Sequence, residues 1–509
     1  MGAVVRGRSA IAHPGAWVVA LVSALTGGCV VGPDYHPPSP PTVTSYTVAP
    51  QPLRTVATDD VTGGLSQRLS MDQAIAADWW TLFHSDALNH LVSVALNASP
   101  TMMQARAKLE QAQEDYRAQV GSTQYPQVDA TLSTTREKLD LQSFGLTSVP
   151  KAGPFTLYNA AVGVSYSLDL FGSNRRELEA MHAEVDYQRF EWEAARLSLA
   201  ANVVTAAIRE ASLREQMEIT QRLIDSQEQQ LTIAKERYRL GGVAQLDVKT
   251  EQAQAALMRA SLPPLKKALS QTRHQLAVYL GQPPSSISSI PETHLQELRL
   301  PTVLPLSLPS SLARQRPDIR AAEALLHQAS ANVGVATANL YPKITLSASV
   351  GSQAITAGQL FGGGSEVWNA GASLMQPIFH GGELRAKRRS AVAVYDQASA
   401  AYQQIVLLGL QNVADVMRAL ENDANTLHEL ADASVQTREA YQITLEQRKI
   451  GGVSELALLD AQRQYLKASL QQVQATADRY ADSASLLQAL GGGWWNDATI
   501  DTAHPKKTP

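Results

Sequence analysis

Two Gly-Gly turns gather most of the charged side chains in this sequence that could do specific chemistry. Around Gly241-Gly242 lie Arg237, Tyr238, Arg239 and Asp247; around Gly451-Gly452 lie Arg448, Lys449, Glu455, Asp460 and Arg463. Basic groups beside carboxylates form ion pairs, and between facing helices such pairs could clasp one element to another. On spacing alone, a solvated face at a helix end is an equal reading. Nothing resembles a catalytic constellation. His84, His90, His182, His274, His327, His380 and His428 are scattered without metal-ligand spacing, so solvated or capping roles are expected. Gly362-Gly363-Gly364 has no following helix and lysine to make a phosphate cradle and reads as a flexible loop. The expectation is a protein that is not an enzyme and needs no cofactor or metal.

The turns are positioned by long helices. From Phe379 to the turn at Ile450-Gly451-Gly452-Val453 nothing breaks a helix for about 65 residues, on the order of 100 Å of rise. Apolar residues alternate in steps of four and three through Val406, Leu410, Val413, Met417, Leu420, Ala424, Leu427 and Ala431. After the turn they do so again through Leu466, Leu470, Val473, Ala477, Tyr480, Ala484 and Leu487. This predicts an antiparallel coiled-coil hairpin. The stretch occurs twice: Phe171-Gly172 opens an earlier copy that turns at Leu240-Gly241-Gly242-Val243 and closes at Leu280-Gly281, and Tyr125-Pro126 pairs with Tyr341-Pro342. An internal repeat of about 210 residues is the main organisational feature. Pro263-Pro264 interrupts the first return helix alone and predicts a kink or break there.

Upstream of each hairpin the apolar period becomes two. Val128, Ala130 and Leu132, then Tyr158 to Leu168, alternate with small or polar residues; Ile344 to Val350 and Trp368 to Leu374 do the same in the second copy. Four strands are expected, at about 127–137, 157–168, 343–351 and 367–376. Each is about ten residues long with one apolar and one small, polar face, as a tilted membrane-spanning strand requires. Four strands cannot close a membrane barrel, because about eight is the smallest number seen in one chain. Copies of the chain must then share one barrel, with the polar faces lining a water-filled pore and the helices continuing its lumen.

At the N-terminus, Arg6 and Arg8 precede an apolar run from Trp17 to Leu25, then Thr26-Gly27-Gly28 and Cys29, the sole cysteine of 509 residues. This reads as an export signal over residues 1–28, with the apolar run too short for a comfortable transmembrane helix. The arrangement is similar to a bacterial lipoprotein signal, which implies that Cys29 becomes the acylated, palmitate-type first residue; Leu25 stands four residues before it instead of the usual three. Prolines fill residues 30–70 and 282–309, which read as an extended segment and a connector. Trp79-Trp80, Leu82 and Phe83 read as packing. A formal net charge of −4 gives no reason to expect nucleic acid as partner.

Several stretches, taken together, resemble the outer membrane factors, the TolC-like exit ducts of tripartite efflux systems, in their NodT-type lipoprotein branch. They are Cys29-Val30-Val31-Gly32-Pro33-Asp34-Tyr35, Arg316-Pro317-Asp318-Ile319-Arg320-Ala321-Ala322-Glu323, Val333-Gly334-Val335-Ala336, Gln376-Pro377-Ile378-Phe379 and Leu490-Gly491-Gly492-Gly493-Trp494. The resemblance implies a homotrimer with a twelve-stranded barrel in the outer membrane, in contact with its lipid, and a helical tunnel through the periplasm. It also implies a periplasmic adaptor and an inner-membrane, proton-driven pump as partners, small toxic compounds as cargo, and adaptor contact at Gly241, Gly242, Gly451 and Gly452. Leu458-Leu459-Asp460-Ala461-Gln462-Arg463 matches the motif whose aspartate makes a constricting acidic ring in relatives, and Asp247 matches an acidic position of the closing network. The resemblance thus points to a periplasmic gate of Asp247, Asp460, Arg463, Arg239, Tyr238, Arg448 and Lys449. Ala457 stands where some relatives have another aspartate, and Arg448 where several have tyrosine. The domain plan that follows is signal 1–28, anchored N-terminal segment 29–98, first repeat 99–281, connector 282–316, second repeat 317–490 and tail 491–509. The readings it displaces are a duct for type I protein secretion and a periplasmic coiled-coil scaffold without a pore.

Overall fold

The computed structural model describes residues 30–48, 52–71, 73–138 and 153–496. The expected signal, the acylation site Cys29, much of the first interstrand loop and the end of the tail lie outside them. In chain order the elements are β1 (Arg68–Ser70), α1 (Asp86–Ala98), α2 (Pro100–Gln124), β2 (Gln127–Glu137), β3 (Phe155–Leu168), α3 (Ser173–Arg239) and α4 (Gln245–Tyr279). There follow β4 (Val303–Pro305), α5 (Pro309–Gln315), α6 (Pro317–Ala338), β5 (Lys343–Ala354), β6 (Glu366–Met375), α7 (Glu383–Lys449) and α8 (Glu455–Ala489). They form two compact units.

The first unit draws on Glu110–Asp186 and Glu323–Ala400 with a short N-terminal segment. Its sheet is antiparallel in the order β2-β3-β5-β6, so the two repeats meet at the β3–β5 seam, where Ser165 pairs with Ser347 and Tyr166 with Leu346. The edge strands β2 and β6 are exposed along nearly their whole length. The middle strands run further than alternation alone predicts: β5 continues past Gly351 to Ala354 because its backbone stays paired with Ala160, Asn159 and Tyr158. A glycine has no side chain to mark the alternation, but its peptide groups pair like any other. The N-terminal segment is clasped to this unit. Val31 donates its N–H to the Phe171 carbonyl (3.2 Å), Asp34 pairs with Arg176 at 2.6 Å, and Tyr35 stacks on His327 with ring centroids 4.2 Å apart. Gly32, at φ +103°, approaches Gly334 so closely that a Cβ on it would lie 2.5 Å from the Gly334 Cα, so Gly32 tolerates no side chain, while a Cβ on Gly334 would displace the Arg176 side chain 2.8 Å away.

The second unit holds the main apolar core. Trp79, Phe83, Leu88, Leu91 and Val92 pack against Val204, Ile208, Leu276, Tyr480 and Leu487, and the four-three alternation of α7 and α8 supplies Val413, Met417, Leu420, Val473, Ala477 and Ala484 to the same core. Ser85 opens α1 by accepting the Leu88 N–H. The connector carries β4, which pairs in parallel with β1. At the end of α8, Gly491, Gly492 and Gly493 all have positive φ, and a Cβ on Gly492 would meet Leu197 at 2.3 Å. This turn lets Trp494 donate its Nε1–H to the Gln315 carbonyl at 2.7 Å.

The proline pair does not break the return helix. The helix α4 runs from Gln245 to Tyr279 with Pro263 and Pro264 inside it. Two backbone N–H donors are missing there, but the preceding turn is held from the side: Met258 and Leu262 pack on Leu223, Ile224, Tyr465 and Leu466. Packing of that face holds the helix continuous although an internal proline costs about 3 kcal/mol through its missing N–H and the clash of its ring with the preceding turn.

Arg479 fixes the N-terminal segment onto α8. Fully buried, it donates to the carbonyls of Gly63 (2.6 Å) and Leu65 (2.7 Å) and to Thr55 Oγ1 (2.9 Å). Burial lowers its pKa to about 10, so it stays charged at neutral pH. Arg479→Met preserves the apolar stem but strands these acceptors, and an expected loss of about 2–4 kcal/mol follows. Limited proteolysis should then cut within residues 55–65 at conditions that leave the wild type intact; an unchanged digest and unchanged thermal unfolding would refute the clasp.

Candidate functional site

The two Gly-Gly turns close helices that end in basic residues, Arg237 and Arg239 in α3 and Arg448 and Lys449 in α7, where cations offset the negative end of the helix dipole. Gly241 and Gly451 have φ of +80° and +77°, and Gly242 and Gly452 donate to the carbonyls of Arg237 and Gln447 at 2.8 Å. This six-to-one bond satisfies a helix-end carbonyl and reverses the chain. The return helices start with different caps. In the first copy Asp247 accepts the Ala244 N–H at 2.9 Å; in the second, Ser454 accepts the Ala457 N–H at 3.3 Å.

Within one copy the expected site residues are not drawn into one network. Asp460 pairs with Arg463 one turn on at 2.9 Å, both largely exposed (57% and 62%). Arg239 pairs with Glu236, and Lys449 with Glu446 at 2.6 Å. Tyr238 is exposed. Only Arg448 crosses its own turn, donating Nε–H to Glu455 at 2.7 Å, with both partners mostly buried. Exposed pairs of this kind contribute about 0.2–1 kcal/mol, so the outward charges do little for a single copy and are available to a second one.

Behind them lies a buried polar layer that sequence reasoning passed over. A cavity of about 110 Å³ separates the two hairpins, lined by Gln230, Arg237 and Asp247 on one side and Arg448, Lys449 and Glu455 on the other. At its wall Glu251, 3% exposed, accepts the Gln227 Nε2–H at 2.5 Å and lies within hydrogen-bonding reach of the Glu455 carboxylate. Burial, then the Glu455 carboxylate, raises the Glu251 pKa to about 8. Glu455 Oε2 is taken by Arg448, whereas its Oε1 is buried and receives no N–H donor from the described residues. A proton on Glu251 completes the arrangement, because its hydroxyl can donate to Glu455. Further along, Tyr441 stacks on Tyr465, and its hydroxyl accepts from Gln230 at 3.2 Å. Gln462 is fully buried, and neither of its amide atoms has a hydrogen-bond partner among the described residues. The signal for this layer was in the register. Val248, Glu251, Ala255 and Met258 are spaced three, four and three apart and all buried, so an acid there occupies a core position.

Comparison with known proteins gives the site its context. The family model described as outer membrane efflux protein matches residues 91–282 and 308–492. The chain is 31% identical over 425 residues to the pyoverdine export outer membrane protein OpmQ of Pseudomonas putida, covering 82% of this chain and 89% of that one. It is 27% identical over 481 residues to the probable efflux pump outer membrane protein TtgC of Pseudomonas putida, covering 94% and 95%. Its structure is similar to that of the outer-membrane channel OprN, with a TM-score of 0.79, 29% identity, and 92% and 100% of the two chains covered.

The carboxyl pair sets a pH dependence whose sign follows from the raised pKa. Stabilisation by protonated Glu251 is complete below the ordinary glutamate value of about 4.3 and is lost as pH rises through about 8. The groups facing it are Glu455, Arg448, Lys449, Arg237 and Asp247. Amide exchange protection in residues 237–258, corrected for intrinsic rates, should fall by roughly 75-fold from pH 6 to pH 8.5. In Glu251→Gln it should stay level, and an equal fall there would assign the effect elsewhere.

Proposed function

The chain belongs to the outer membrane efflux protein family, and from that premise we propose a homotrimeric duct, gated at its helical turns, that passively conducts small toxic compounds. It is an outer-membrane exit duct of a tripartite efflux system, a conduit and not an enzyme. The observation that carries the duct is the four-stranded sheet with one apolar and one polar face and both edges exposed. Three copies joined edge to edge make a twelve-stranded barrel with a polar lumen. Acylated Cys29 anchors the mature chain to outer-membrane lipid. A periplasmic adaptor engages the turns at Gly241-Gly242 and Gly451-Gly452, and a proton-driven inner-membrane pump supplies the energy.

The gate consists of Asp247, Asp460, Arg463, Arg239, Tyr238, Arg448 and Lys449, brought into register with their symmetry mates in the trimer. The exposed Asp460–Arg463 pair supports this reading, because each side chain keeps hydrogen-bonding capacity for a neighbouring copy. Asp247 carries a second duty as a helix cap, so its removal has two effects. Single-channel recording in a planar bilayer should give small, rarely opening wild-type currents, severalfold larger ones for Asp460→Ala, and larger but less stable ones for Asp247→Ala. Inserted trimers whose conductance is the same in all three would remove the gate.

A further inference from the structure

We infer that Glu251 is a positioning residue of the gate: with Gln227, Glu455 and Arg448 it strings one line of side chains through all four long helices, and a proton held between its two carboxyls latches the first hairpin to the second. The inference rests on the proposed gate and names what holds its hairpins together within one copy. From α3, Gln227 donates Nε2–H to Glu251 Oε2 on α4 at 2.5 Å. From α7, Arg448 donates Nε–H to Glu455 Oε2 on α8 at 2.7 Å. Each acid thus spends one oxygen inside its own hairpin, and the link between hairpins is carboxyl to carboxyl. Glu455 Oε1, buried and given no N–H by the described residues, is the acceptor left for it. Two carboxylates at this distance repel, whereas a carboxylic acid donates to a carboxylate, so the link exists only with a proton in it. Glu251 is the member that holds the proton, because its other partner is a neutral amide and that of Glu455 is a guanidinium.

The packing around the link lets it act as a latch. Farther from the turns, Met258 and Leu262 of the first hairpin pack on Tyr465 and Leu466 of the second. Nearer the turns, Leu231, Val248 and Ala255 cluster with Val243 inside the first hairpin, and the hairpins face each other across the cavity of about 110 Å³. Gln227 and Gln462, both fully buried, carry amide atoms with no partner among the described residues. A polar layer with unmet bonds adds little cohesion, which leaves the carboxyl link to supply it. A second bridge, from the Tyr441 hydroxyl to Ser226 and Gln230 at 3.2 Å each, contains no carboxyl group.

Parting the hairpins admits water to Glu251 and returns its carboxyl to the ordinary value of about 4.3, whereas in the closed latch burial, then the Glu455 carboxylate, raise it to about 8. The closed form therefore keeps a proton that the parted form has released, and between these values every rise in pH favours opening, by about tenfold per pH unit for each latch that parts. The groups facing Glu251 are Gln227 and Arg237 from α3, Asp247 from its own helix, Arg448 and Lys449 from α7 and Glu455 from α8. A second carboxyl pair supplies an internal control. Asp482 shares a hydrogen bond with Asp423, and burial, then that neighbour, raise its pKa to about 8 as well. This pair joins α7 to α8 within one hairpin, so its titration parts nothing between the two.

Single-channel recording of the full chain in planar bilayers reads the latch directly. The open probability of the wild type should rise about twentyfold from pH 6 to pH 7.5. Glu251→Gln, whose amide donates to Glu455 and has no proton to lose, should stay as rarely open at pH 7.5 as the wild type at pH 6. Glu251→Ala should open more often, and equally at both pH values, whereas Asp482→Asn should keep the wild-type rise. The same rise in Glu251→Gln, or its disappearance in Asp482→Asn alone, overturns the latch. A wild type indifferent to pH, in which Asp460→Ala still enlarges the currents, overturns the latch and leaves the gate standing. Inserted trimers that carry no current in any variant remove the duct and the latch together.

Discussion

A backbone N–H or C=O without a partner costs several kcal/mol in hydrocarbon, and the sheet of this chain carries a row of them along each of its two edges. The remaining features follow from that constraint. Among the described residues no helix, bulge or charged cover shields β2 and β6, the usual means of blunting an edge in a soluble protein. Their apolar faces, with Val128, Leu132, Trp368 and Leu374 exposed, suit lipid and not water. A chain built this way is half of each of two seams.

The helices obey a related rule in water. A coiled coil needs one apolar stripe per partner, and α7 and α8 each present a continuous stripe to the core of the second unit. Near the turns the buried faces of α3, α4 and α8 carry polar residues instead, Gln227, Glu251 and Gln462. Polar groups at core positions lower stability and favour one pairing over others. The position of this layer behind the outward charges gives the turns two kinds of contact: one buried and internal, the other exposed and suited to a neighbouring copy.

The motifs that carry the family resemblance have structural roles of their own. Arg316 donates to the Ala489 carbonyl and pairs with Asp318, at 2.8 Å in each case, fastening the start of α6 to the end of α8. Gly32 and Asp34 bind the N-terminal segment at Gly334 and Arg176. The glycines after Leu490 allow the turn that seats Trp494. These are clasps between segments distant in the chain, which is why no local propensity predicts them.

The repeat, the strand and helix periods and the Gly-Gly turns are local properties of side-chain order, and each was legible in the sequence. Periods of two and of alternating four and three follow from backbone geometry alone, and a left-handed turn needs glycine wherever it falls. The membrane reading was legible too, because strand length and a single apolar face are both written in the residues. The tertiary structure decided the contacts that depend on which segments meet. It carried α4 through Pro263-Pro264, because packing of Met258 and Leu262 holds the helix continuous. It buried Arg479 as the anchor of residues 55–65, and it set Glu251 against Glu455, a pair two hundred residues apart in sequence. Whether a charge is solvated or buried is a property of the residues around it in space, and no spacing along one chain contains that.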